Sequence, residues 1–182
     1  MARVGYVATA EAQGDAREVF AKLESRGSDI LNLNRVLAHS PNTLRNFMRL
    51  GNSLLFHGLL PPALRELAIL RVAQMTGASY EWAHHVPIAR QVGVSEEQVA
   101  GLTNWRTSPH FDERERALLH YVENVTLEVA VPNEVFREAR AHLSEAELVE
   151  LTLVAGYWGM VARLLVALEI DLEPPYLRYL PG

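Results

Sequence analysis

The densest group of side chains able to do chemistry lies between positions 80 and 85, where Tyr80, Glu81, Trp82, His84 and His85 fall within two helical turns. On a helix, Glu81 stands three and four residues before His84 and His85, so its carboxylate can orient an imidazole or tune its affinity for a proton. That is the make-up of an acid–base pair. The same spacing equally suits two histidines at a surface or a subunit interface. Pro87 follows within the same segment and cannot donate to the carbonyl of Ala83, which predicts a kink and a free acceptor beside the histidines.

A second set of charges precedes this group. Glu66 shares a helical face with Ile69, Leu70 and Ala73, while Arg71 aligns with Leu67, Ala68 and Met75. Charges in such apolar company are penalised unless they are paired or used, so each belongs either to an ion pair with a neighbouring helix or to a site. The chain contains no cysteine. Thiolate nucleophiles, redox dithiols, disulfides and zinc–thiolate sites are thereby removed together, and any chemistry falls to carboxylates, imidazoles, hydroxyls and guanidinium groups.

The elements that must position these residues are helical. Ser95 with Gln98, Asp112 with Glu115, and Ser144 with Glu147 are capping boxes, which set helix starts near 96, 113 and 145. Val19, Phe20 and Leu23 recur at helical spacing within 15–26, as do Leu44, Phe47, Met48 and Leu54 within 41–55. Pro61 and Pro62 suit the first turn of a helix running to about Thr76, where Gly77 interrupts it, and a further helix spans roughly 79–91 before Gly93. Strand-type alternation is weak throughout. With 182 residues and 49% hydrophobic content, the expectation is one all-α domain, 1–182. It divides into N-terminal helices (1–60), a core segment (61–93), C-terminal helices (95–170) and a tail (171–182).

The run from Glu66 through Arg71, Gln74, Gly77, Ala78 and Glu81 to His85 resembles the core motif of the carboxymuconolactone decarboxylase and alkylhydroperoxidase-D-like superfamily. In the alkylhydroperoxidase-D branch, a glutamate lies twelve residues before a C-x-x-C-x-x-x-H motif. Counted the same way, Glu66 falls on that glutamate, Ala78 and Glu81 on the two cysteines, and His85 on the histidine. Tyr80 takes a position that supplies a relay histidine in some peroxidatic members. The resemblance continues through 89–95 and, more weakly, 157–163, and covers about half the chain.

This resemblance implies an all-α bundle of the alkylhydroperoxidase-D-like type, assembled through long helices as a homo-trimer or homo-hexamer, which would also cover the apolar stretch 151–168. Because both cysteines are replaced, the family's dithiol peroxidase cycle is excluded. The resemblance therefore points to the decarboxylase branch: cofactor-free decarboxylation or proton transfer on a small lactone, enol or keto acid from aromatic breakdown. In that reading His85 delivers the proton, Glu81 orients it and Glu66 is a second relay group. Arg71 and Arg163 are the candidates to grip a substrate carboxylate, and Tyr80, Trp82 and His84 the remaining substrate-binding residues. No cofactor and no metal is implied.

Other classes were weighed on their own residues. Residues 88–99 imitate a helix-turn-helix, but the would-be recognition helix opens with Glu96 and Glu97 and the formal charge is -5, so nucleic acid is not an expected partner. Glu81-x-x-His84 is half of a di-metal carboxylate motif, and no second Glu-x-x-His exists. Residues 151–168 are apolar enough to suggest a membrane span, yet they carry Thr152 and Arg163, and a helix buried in the core or between subunits is the expectation. No basic leader followed by an apolar stretch is visible near Met1, so a cytoplasmic location is expected. The alternative of a different class is a non-catalytic oligomer, binding a small molecule or serving as a scaffold around a decayed site.

Overall fold

The computed structural model describes residues 2–181, and among them every regular element is helical. The order is α1 (Gly14–Ser25), α2 (Asn32–Leu37), α3 (Pro41–Phe56), α4 (Pro62–Thr76), α5 (Ser79–Gln91), α6 (Glu96–Gly101), α7 (Glu113–Leu127), α8 (Asn133–His142) and α9 (Glu145–Ala167). Short 3-10 turns lie at Thr9–Glu11, Leu102–Asn104 and Pro174–Tyr179. The all-α expectation therefore holds.

Local chemistry sets the helix boundaries. Ser95, Asp112 and Ser144 each accept a hydrogen bond from the amide three residues on, and the Gln98, Glu115 and Glu147 side chains reach back to the cap amides. These reciprocal bonds satisfy donors that a helix start otherwise leaves orphaned. Pro62 occupies the first turn of α4, and Gly77 ends it at φ +67°, a left-handed conformation that glycine adopts without a Cβ penalty. The helix α5 continues through Pro87 as one element.

α4 is the axle of the bundle. Every residue from Leu64 to Leu70 is buried, as are Val72 and Ala73, because α5, α7 and α9 pack around it. A helix enclosed in this way has no solvated side on which to park a charge, so Arg65 and Glu66 must find partners inside. The second half of the enclosure is α9, whose Leu151, Val154, Ala155, Trp158, Ala162 and Leu165 are buried. This helix is long and apolar enough to cross a membrane, and half of its most apolar stretch is buried within the bundle. Val149, Leu153, Met160 and Val166 remain exposed on its outer side.

A smaller apolar cluster joins Ala16 and Phe20 of α1 to Leu37 and Leu44, and holds α1 against α3. The chain after α9 returns across the bundle, and the 3-10 turn Pro174–Tyr179 seats on α5. That return brings Glu173 to the helix carrying the histidines.

Candidate functional site

The site is built on the buried pair at the start of α4. Glu66 is wholly buried, and its Oε1 accepts from both Nε and a terminal nitrogen of Arg65, each at 3.0 Å. Adjacent residues on a helix do not normally face one another. Here both are forced inward, and Arg65 spends its remaining donor on the Leu55 carbonyl of α3 at 2.7 Å. Arg65 was not among the candidates from sequence. Its only signal was an opposite charge beside Glu66 on a helix with no polar face.

The second oxygen of Glu66 holds His85 from α5, with Nδ1 to Oε2 at 2.7 Å. On the far side of the ring, the indole N–H of Trp158 on α9 lies 2.9 Å from His85 Nε2. An indole nitrogen can only donate, so Nε2 must present its lone pair and the proton sits on Nδ1, facing Glu66. The imidazole is thus fixed as one neutral tautomer by partners on two other helices. The expectation that Glu81 orients His85 is corrected: Glu66 does so, because α4 presents that carboxylate squarely to the ring.

Glu81 is left free. It is 2% exposed, and neither carboxyl oxygen has a hydrogen-bond partner. Burial without compensation pushes its carboxyl well above the ordinary value of 4.5, which favours the neutral, protonated form. Glu81 and His85 line a cavity of about 210 Å³, walled by Phe47 and Leu55 of α3 and by Tyr157 and Val161 of α9. Gly51 admits the Tyr157 ring at this wall, since a Cβ there would lie 2.5 Å from the phenol oxygen. Burial raises the Tyr157 phenol above its usual value, and its O–H donates to the Phe47 carbonyl at 3.0 Å.

Tyr80 and His84 form the opposite wall with the C-terminal return. Glu173 accepts from the Tyr80 hydroxyl at 2.7 Å and the Asn32 amide at 2.6 Å, and its other oxygen lies 2.7 Å from His84 Nε2. Burial pushes the Glu173 carboxyl up, but the bonds from His84, Asn32 and Tyr80 outweigh it and hold the group below its ordinary value. His84 is also stacked between Tyr80 and Tyr176, with ring centroids at 4.6 and 3.7 Å. These residues clamp the tail against α5 while their rings line the cavity.

Three expected substrate-binding residues lie elsewhere. Arg71 bonds Glu123 through Nε at 3.0 Å and also meets Gln74 and the Leu102 carbonyl, so it locks α4 to α7. Arg163 is exposed and donates to the Gly159 carbonyl one turn back at 2.7 Å. Neither lines the cavity, and the assignment of a substrate carboxylate to them is corrected on that ground. Trp82 points from the other side of α5 into a separate cleft with Arg90 and Tyr179. No cluster of metal-ligating side chains occurs among the described residues.

These features agree with relatives found by comparison. The Carboxymuconolactone decarboxylase family model matches residues 41–124. The chain is 30% identical over 106 residues to YdfG, an uncharacterized protein of Bacillus subtilis (strain 168), a match that spans 57% of this chain and 72% of that one. It is also 30% identical over 116 residues to YnjA, an uncharacterized protein of Escherichia coli (strain K12), spanning 63% of each. Among solved structures, ATU0492 of Agrobacterium tumefaciens, a protein of unknown function, aligns with a TM-score of 0.70 and 31% identity, covering 75% of this chain and 94% of that one. The alkylhydroperoxidase AhpD core protein of Ralstonia eutropha JMP134 aligns with a TM-score of 0.83 at 18% identity, covering 96% and 94%, and shares the fold. The debrominase Bmp8 in complex with 2,3,4-tribromopyrrole does likewise, at 0.80 and 21%, covering 97% and 94%. The chain belongs to the carboxymuconolactone decarboxylase family.

The orphaned Glu81 has a measurable thermodynamic signature. Its folded value lies above its unfolded value, so between the two the native state binds the extra proton and stability must fall as pH rises, by about 1.4 kcal/mol per pH unit from this group. Urea unfolding between pH 5 and 8 checks this. Glu81→Leu is expected to remove that component of the slope and to be more stable than the parent at pH 8; a parallel pair of pH profiles would refute a neutral Glu81.

Proposed function

We propose that the chain is a cofactor-free acid–base enzyme, a carbon–carbon lyase or isomerase, acting on a small lactone, enol or keto acid of the kind released in aromatic breakdown. The observation that carries this reading is a buried, unpartnered Glu81 beside a tautomer-locked His85 on one apolar cavity. A carboxyl kept protonated by burial is a ready proton donor near neutral pH. When a carbon–carbon bond to a leaving carboxylate breaks, the electron pair stays on the substrate carbon, and Glu81 delivers its proton there. His85, held by Glu66, offers the Nε2 lone pair once the substrate displaces the Trp158 contact, and so acts as the base that takes a proton elsewhere on the substrate.

Both groups belong to the catalytic step in this reading. A panel of small lactones, enols and keto acids, followed by carbon dioxide release and by deuterium uptake from heavy water, identifies the reaction. Glu81→Gln and His85→Gln are each expected to lower turnover by roughly a hundredfold or more with folding intact. Full activity in Glu81→Gln would refute its role as the acid.

One observation favours a second reading. Both ring nitrogens of His85 are occupied in the resting protein, as suits a small-molecule binding protein without turnover. Ligand binding in calorimetry without deuterium exchange on any bound compound would select it.

We also propose a homo-oligomer, a trimer or hexamer, on the support of the exposed row of Val149, Leu153 and Met160 along α9. Light scattering is expected to give a mass several times 20.4 kDa for the parent and a monomer for Leu153→Glu; an unchanged mass in the variant moves the interface elsewhere.

A further inference from the structure

Beside the cavity, α1 and α3 carry facing rows of charge. Glu18 and Lys22 stand one turn apart on α1 with Arg26 at its C-cap four residues on, Arg45 and Arg49 stand one turn apart on α3, and the rows meet across a cleft of about 270 Å³. At one end the charges cancel, because Arg45 reaches Asp15 at 2.7 Å and Glu18 at 2.5 Å. At the other end they do not. The side chains of Lys22, Arg26 and Arg49 have no ion pair or hydrogen bond among the described residues, and the same three line the hollow that continues to His57.

This cationic end adjoins the Glu81–His85 cavity. Met48 and Asn52 belong to the walls of both, so the cavity and the cationic cleft adjoin along those side chains. Within the cavity itself no arginine or lysine is found among the described residues. The apolar and the cationic recognition surfaces are therefore separate and adjacent. The charge pattern also limits the size of the anion. With a formal net charge of -5, the protein repels an extended polyanion, whereas three local cations act on a small anion within a Debye length of about 8 Å.

We infer that Lys22, Arg26 and Arg49 form an anion-docking subsite beside the cavity, and that the substrate is a small molecule with an apolar body and a carboxylate that stays outside, at the α1–α3 cleft. The inference rests on the cavity being the substrate site. Arg49, a planar guanidinium next to Asn52, is the best placed to take both oxygens of the carboxylate. The carboxylate at this cleft is distinct from any bond broken at Glu81.

Two probes with one body test it: 4-phenylbutyrate and 4-phenylbutan-1-ol, titrated calorimetrically into the intact protein at low ionic strength. The carboxylate is expected to bind about tenfold more tightly than the alcohol, and that preference is expected to shrink with added salt. Arg49→Gln and the double variant Lys22→Gln/Arg26→Gln are expected to bring the carboxylate down to the alcohol's affinity without changing the alcohol, while Arg49→Lys retains part of the preference. Equal affinity of the two probes in the parent, or a preference that survives in both variants, overturns the subsite and leaves the cavity reading standing. If neither probe binds, the cavity reading fails and the subsite with it. A fall in assembly mass in these variants would assign the cations to a subunit contact instead, and overturns the subsite as well.

Discussion

The structure depends on keeping one carboxylate, Glu66, wholly buried within the enclosed stretch of α4 from Leu64 to Leu70. Arg65 neutralises it from the neighbouring position, and His85 bonds its other oxygen from α5. Removing either charged member, Arg65 or Glu66, leaves an uncompensated buried charge, at a cost of about 3–5 kcal/mol. The cluster therefore fixes more than a side chain. It sets the rotation of α4 against α5, and the Arg65 bond to the Leu55 carbonyl draws in the end of α3. Two of the helices that wall the cavity, α3 and α5, are thus registered through α4 by a single ionic knot.

Glu81 lies in the same interior under opposite terms. Glu66 has a cation and an imidazole as partners; Glu81 has none, although it sits in the first turn of α5 where free amides are available. The two carboxyls therefore differ in their surroundings: one orients an imidazole, and the other has no partner to offset its burial. The position matters as well. Glu81 stands where the motif of thiol-bearing relatives would place the second cysteine, so an unpartnered carboxyl at the cavity occupies the place of their sulfur.

The helix starts at Ser95, Asp112 and Ser144 were legible because a capping box is a local device, complete within four residues. The enclosure of Glu66, Glu81 and His85 among apolar side chains was legible too, since their spacing and apolar neighbours are visible along the chain. Which carboxylate holds the imidazole was not. That depends on how α4 rotates against α5, and a spacing rule confined to one helix favours Glu81. Trp158 reaches His85 from 73 residues away, and Glu173 reaches Tyr80 across 93, so neither contact has a local trace. Arg71 misled for the same reason: its apolar surroundings mark it as paired, but only the fold shows that Glu123 on α7, and not a ligand, is the partner.

The distribution of cations completes the logic of the cavity. Had Arg71 or Arg163 lined it, a permanent positive charge near Glu81 would have favoured the ionised carboxylate and lowered its proton affinity. Arg65 is close, but its donors are committed to Glu66 and to the Leu55 carbonyl. Three unpaired cations, Lys22, Arg26 and Arg49, stand at α1 and α3 in water, where screening weakens their reach into the interior. A nearby unpaired cation would favour the ionised form of a buried acid, whereas the same cation attracts an anion. If the proposed acid and the proposed anion subsite are both correct, their separation by Met48 and Asn52 serves both requirements, with the chemistry in one hollow and the recognition in its neighbour.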